Sequence, residues 1–222
     1  MGIIFYLYMC FSQNGSLAIG LFGLFFSVSI YSKNRYASIG LGYFSLMEIL
    51  QYFQYQVIDE CHNPTNRFLT DVAYIHICFQ PLFFNLWLFA FTKNPPFLFL
   101  YMSFLAGLLL ISRLFFVKDD NSNLCDTKHE PLCGKLTCSF SGEKHIAWNI
   151  RLRNTDYITP SIFLHFFMWT IPILTLFQIK PVIALILTGP YLAYVTNNIH
   201  EQPAIWCYTA IAQVILTYFL IL

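Results

Sequence analysis

Charge is scarce in this sequence. Asp, Glu, Lys and Arg make up 10% of its 222 residues, where soluble domains carry about 25%. That scarcity excludes an ordinary water-soluble domain, because a core of this size cannot hide so much apolar surface. The formal net charge is only +1, which excludes the basic footprint of a nucleic-acid binder. Acids are missing from three short connections, those carrying Lys33 and Arg35, Lys93, and Lys180. A basic n-region is missing ahead of the apolar start, so residues 1–11 make a poor signal peptide. Whether Met1 or Met9 is the native start stays open. No His-x-x-x-His pair occurs, and residues 204–222 hold no lysine. The latter excludes a retinal Schiff base in the last helix.

Apolar length is what the chain has. It is 57% hydrophobic and 19% aromatic, with a mean hydropathy of +0.59. A spanning helix needs about 20 mostly apolar residues, and seven stretches qualify: 16–31, 36–57, 68–91, 97–116, 158–177, 181–195 and 204–222. The expected fold class is all-α, a polytopic seven-transmembrane helix bundle forming one membrane domain over 1–222. Lys and Arg collect in cytosolic connections. The first, third and fifth connections then face the cytosol, and the N-terminus and the long loop 117–157 lie on the lumenal or extracellular side. In that loop, 136–140 and 146–152 alternate apolar and polar residues around Ser141-Gly142-Glu143-Lys144. This is the signature of a β-hairpin, expected to lie across the mouth of the bundle with its apolar side down.

The cysteines agree with that orientation. Cys61, Cys125, Cys133 and Cys138 fall in outer loops, Cys10 precedes the first helix, and Cys207 sits near the outer end of the last. Disulfides belong to the oxidising compartment. Six cysteines allow 15 pairings. The expected arrangement joins Cys10 to Cys61 or Cys207 and places one bridge within the long loop. A zinc site on Cys125, His129, Cys133 and Cys138 is the alternative, with suitable ligand types but no common spacing.

Ionisable groups within spans cost about 2.5–3.5 kcal/mol at mid-bilayer and usually carry function. At 1.5 Å per residue, Glu48, His76 and His165 lie about 14, 12 and 10 Å below the outer ends of their helices. Gln80 shares the His76 face, Gln51 and Tyr52 extend the Glu48 face, and Glu201 stands on the outer rim. The expected pocket in the outer half of the bundle therefore comprises Glu48, Gln51, Tyr52, His76, Gln80, His165 and Glu201. Pro81 and Pro172 kink their helices and free backbone carbonyls beside it. Arg113, near the end of the fourth span, is expected to snorkel to the surface. No catalytic residue is assigned.

Three readings of the pocket stay open. One is structural, with polar pairs holding the bundle together. A second is ligand or ion handling, with Glu48 and His76 relaying a proton. The third is a metal-dependent intramembrane lipid hydrolase, with zinc on Glu48, His76 and His165. The absent His-x-x-x-His pair counts against this third reading. Membrane lipid is the implied partner, and the oligomeric state is open. The Phe- and Tyr-rich stripes read as lipid-facing surface.

Several strings stand out together: Met9-Cys10, SLMEILQY at 45–52, ECHNPTN at 60–66, HICFQPLFFN at 76–85, GEKHIAW at 142–148 and EQPAIWCY at 201–208. In them the chain resembles a poorly characterised family of small multi-pass membrane proteins of giant DNA viruses and some protists. The resemblance covers nearly the whole chain. It implies about seven helices and a viral, plasma or endomembrane setting, and it brings no catalytic residues.

Overall fold

The helices begin where short polar side chains can hold the first free N–H groups. Ser12 accepts from the Gly15 N–H, and Asn34 accepts from Tyr36 and Ala37. Asn63 accepts from Thr65, with Pro64 in the first turn, where its missing N–H costs nothing. The computed structural model describes residues 12–92, 96–118, 120–143, 145–155, 160–176, 183, 186–196, 198–206 and 208–221. The capped helices are α1 (Gln13–Ile30), α2 (Arg35–Tyr55) and α3 (Pro64–Leu88), the last drawn on by a 3-10 turn at Phe89–Phe91. Then come α4 (Leu98–Phe115), strands β1 (Cys138–Ser141) and β2 (Ile146–Asn149), and α5 (Ile162–Leu176). Short α6 (Pro190–Tyr194) and α7 (Gln202–Ile205) precede α8 (Tyr208–Ile221).

The chain is mostly helical. Gln13–Ile30, Pro64–Phe91 and Leu98–Phe115 are long and apolar enough to cross a membrane, and Ile162–Leu174 is apolar but shorter. α2 matches them in length, but Glu48, Gln51 and Gln54 are buried along it and lower its hydropathy. Within the last expected span, 204–222, α7 ends at Ile205 and Tyr208–Ile221 is helical, with Cys207 outside the described residues. Most of the expected span at 181–195 lies outside the described residues, and within it Pro190–Tyr194 is helical.

α1 and α2 meet along small residues. Ser16, Gly20, Gly23 and Ser27 recur every three or four positions and are buried, so the two backbones approach closely. A Cβ at Gly23 would collide with the Ser45 hydroxyl. Ser27 and Ser38 each donate a hydroxyl to the other's carbonyl, at 2.7 and 2.8 Å. α3 is the central helix, with 61% of its apolar window buried against 28% for α1 and α4. The remaining faces carry exposed Phe22 and Phe25, Tyr101 and Leu105, Phe163 and Phe167, and Tyr218 and Phe219. These exposed side chains are apolar and largely aromatic.

The segment 120–155 folds over one end of the helices. Its hairpin pairs antiparallel from Cys138 with Asn149 to Ser141 with Ile146. Ile146, Trp148, Ile150, Leu152 and Leu132 are buried in one cluster with Met47, Tyr74, Ile77 and Leu110 of the helices. The alternating pattern thus produces a cap with its apolar side down. Disulfides join Cys61 to Cys138 and Cys125 to Cys133. The bridge within the loop is as expected, but Cys61 is tied to the hairpin rather than to Cys10 or Cys207. The latter two lie outside the described residues. Oxidation of Cys125, Cys133 and Cys138 also removes the loop zinc site, because a disulfide sulfur is not a thiolate ligand.

Candidate functional site

Three polar knots hold the cap to the helices. At the first, α3 presents Asn66 as a substitute strand. Its Oδ1 accepts from the Ser139 N–H at 2.9 Å, and its Nδ2 donates to the Ser139 carbonyl at 2.8 Å and to that of Val57 at 2.7 Å. The Ser139 hydroxyl meets Thr70 at 2.7 Å and accepts from Gln54 at 2.9 Å. At the second, Arg113 is only 1% exposed. Its Nη1 donates to the Glu130 carboxylate and to the Pro160 carbonyl. Its Nη2 donates to Glu130 and Asn154, and its Nε to the Arg153 carbonyl. All five guanidinium donors are therefore placed. Arg113 does not snorkel, because the cap covers the helix end it would have reached.

At the third knot, Glu201 is fully buried and accepts from the Glu143 N–H in the hairpin turn and from Asn198 at 3.0 Å. A Cβ at Gly142 would strike that carboxylate. Glu201, at the start of α7, thus holds the hairpin turn and does not line the cavity that Glu48 lines.

Beneath the cap lies a cavity of about 510 Å³ between α3, α4, α5 and α7. Arg113, Glu130 and Pro131 line its roof, and Ile77, Gln80, His165 and Trp206 line its depth. Of the expected pocket, the structure brings together Gln80 and His165. Glu48 lines a second cavity of about 320 Å³ among α1, α2 and α8, with Phe22, Ser45 and Val214. Gln51 is buried and Tyr52 sits beside Phe53, and neither lines these cavities.

His76 faces another way. Its Nε2 bonds the Tyr43 carbonyl at 2.8 Å, the Tyr43 hydroxyl donates to the His76 carbonyl at 2.8 Å, and the rings stack at 4.0 Å. This reciprocal pair ties α2 to α3. Nδ1 of His76 has no partner, so the direct Glu48–His76 relay is not formed. The zinc alternative fails too. Among the described residues, the ligand cluster found is Cys125, Glu130 and Cys133, and its two sulfurs are bonded to each other. Glu48, His76 and His165 are not gathered around a common point.

His165 is 4% exposed and hydrogen-bonds the backbone of Ile77. That carbonyl is the one Pro81 leaves without its helical N–H, being four residues upstream. Nε2 of His165 is buried without a hydrogen-bond partner, and the residue contributes to the cavity lining.

The cap carries its own pH response. His145, in the hairpin turn, is buried, and burial lowers its pKa to about 4. Its Nδ1 accepts from the Ile146 N–H at 2.7 Å. Burial also lowers His200, whose carbonyl accepts from the Trp148 N–H. A histidine held neutral by folding takes up its proton first in the unfolded cap. The cap therefore keeps its full stability above about pH 6.5 and loses it progressively toward pH 4, by about 3 kcal/mol for His145. Trypsin cleavage at exposed Lys135 should accelerate as pH falls from 7 to 5, after correction for the enzyme's own pH profile. His145→Asn keeps an acceptor for Ile146 without titrating and should remove most of that acceleration. An unchanged pH slope in the variant would refute the assignment.

Fold and site together define a mostly helical protein with, among the described residues, three span-length apolar helices and a disulfide-stapled cap over a cavity. Residues 14–221 match the model of a family of unknown function (DUF5765), and the chain belongs to that family. The match brings neither a source nor a number of spans. No curated protein and no solved structure matches the chain.

Proposed function

We propose that this is a multi-pass integral membrane protein that binds a small ligand in the cavity under its cap. The seven-span topology, with N-terminus and cap on the lumenal or extracellular side, is part of this reading. It is supported by the exposed aromatic faces, the oxidised cap and the acid-free, lysine-bearing connections read from the sequence. A viral, plasma or endomembrane setting rests on the sequence resemblance alone.

The observation that carries ligand binding is the cavity of about 510 Å³ under the cap, lined by polar Gln80 and His165 together with apolar Ile77, Phe166 and Trp206. The cavity volume falls within the usual 300–1,000 Å³ range of small-molecule sites.

Photolabelling of the detergent-solubilised full chain with a diazirine-bearing alkyl probe tests the reading. Labels should concentrate on peptides carrying Ile162–Phe166 and Pro203–Trp206. His165→Trp, which fills the cavity, should abolish those labels and spare labels at Phe22 and Phe25. Labelling confined to the outward faces would overturn the proposal.

A further inference from the structure

The exposure of its lining residues locates the mouth of the cavity. Ile77 and Gln80 are each 3% exposed and form the closed end. Two other groups of lining residues reach the surface. On the cap these are Asp126 and His129, whose side chains are 57% and 80% exposed. On α5 they are Phe163, 76% exposed, and Phe166, 44% exposed. Ser161, exposed and also in the lining, directly precedes α5. The mouth therefore has a hydrophilic edge on the cap and an aromatic edge on the flank of the helices. Behind the aromatic edge the wall stays apolar, with Ile162 and Trp206. With the helices in a membrane and the cap outside it, such a mouth straddles the boundary between water and lipid. That arrangement suits an amphiphile, since a polar head is costly to bury and an alkyl chain is not.

We propose that the cavity takes the alkyl chain of a membrane amphiphile, which enters past Phe163 and Phe166 and keeps its polar head at the cap edge. This rests on the reading of the cavity as a ligand site in a membrane protein. One chain of a bilayer phospholipid and the chain of a free lysolipid share this chemistry. The test places photoprobes on the full chain in nanodiscs. Phosphatidylcholine and lysophosphatidylcholine each carry a diazirine either at a chain end or on the choline head, and a compact aryl diazirine serves as the comparison. Labels mapped to Ile77 and Gln80 report the closed end, because lipid outside the cavity cannot reach side chains so buried. Chain-end probes should label these residues about tenfold or more above head probes, since a zwitterionic head is costly to bury among apolar walls. Head probes should instead mark Asp126–Pro131. The lipid whose chain-end probe labels the closed end more strongly is the source. His165→Trp should remove the Ile77 and Gln80 labels for both lipids.

Chain-end labels confined to outward residues such as Phe25, with Ile77 and Gln80 labelled by the aryl diazirine, overturn the amphiphile and leave the ligand site standing. Equal labelling of Ile77 and Gln80 by head and chain-end probes overturns the orientation, and the proposal with it. No label in the cavity from any probe overturns the ligand-site reading itself.

Discussion

Replacing Cys61 and Cys138 together by serine should destabilise the cap by about 4.5 kcal/mol, because the bridge closes a loop spanning 77 positions and loop-closure entropy grows with length. The Cys125–Cys133 bridge spans 8 positions and should contribute nearer 2.5 kcal/mol by the same relation. The difference has a structural counterpart. Cys61 lies in the α2–α3 connection and Cys138 opens β1, so their bond holds the hairpin over α3 where Asn66 and Thr70 grip Ser139. The other bridge only tightens the cap on itself. Hydrogen exchange at the Ser139 and Trp148 amides reports the outcome, since both are held by bonds that cross between the hairpin and its surroundings. In the Cys61→Ser, Cys138→Ser protein they should exchange at least a hundredfold faster, while the amides of α1 and α4 stay protected. Equal protection in the variant and the native chain would mean that the polar knots alone hold the cap. The cavity should suffer with the cap, because Glu130 and Pro131 of its roof belong to the same segment.

Some of this was legible in the sequence for physical reasons that can be named. Alternation around Gly142 announced the hairpin because a strand has a period of two and a strict inside and outside. Pro81 announced a free carbonyl, and His165 occupies it. Depth along a helix follows from the count of residues, since rise per residue is constant. Position around the bundle axis does not. Glu48 and His165 were placed at similar depth, yet they line different cavities, and His76 turns toward Tyr43. Asn66, Ser139 and Gln54 gave no signal, because polar residues near helix ends and in loops normally meet water. Only the docking of the hairpin makes them partners. Arg113 misled for the converse reason. A cation near a helix end usually reaches the surface, and here the long loop folds back over that end.

Arg113→Met should destabilise the protein by about 3 kcal/mol, the low end for breaking a buried ion pair from one side, because Glu130 keeps partial contact with solvent. The loss has two parts. The Glu130 carboxylate is stranded, and the carbonyls of Arg153 and Pro160 lose their donor. Thermal unfolding of the purified full chain in detergent separates them. Arg113→Met combined with Glu130→Met removes the stranded charge and should recover about 1 kcal/mol or more, leaving the two carbonyls as the residual cost. Arg113→Lys keeps the charge without the planar fork that spans carboxylate, amide and carbonyls at once. It should therefore fall between the native chain and Arg113→Met. If the double variant were as unstable as the sum of its single replacements, the two side chains would be acting independently. The knot would then be two separate contacts that happen to lie side by side. Coupling is the expected result, because a guanidinium with all five donors engaged makes α4, the cap and the approach to α5 one unit above the cavity.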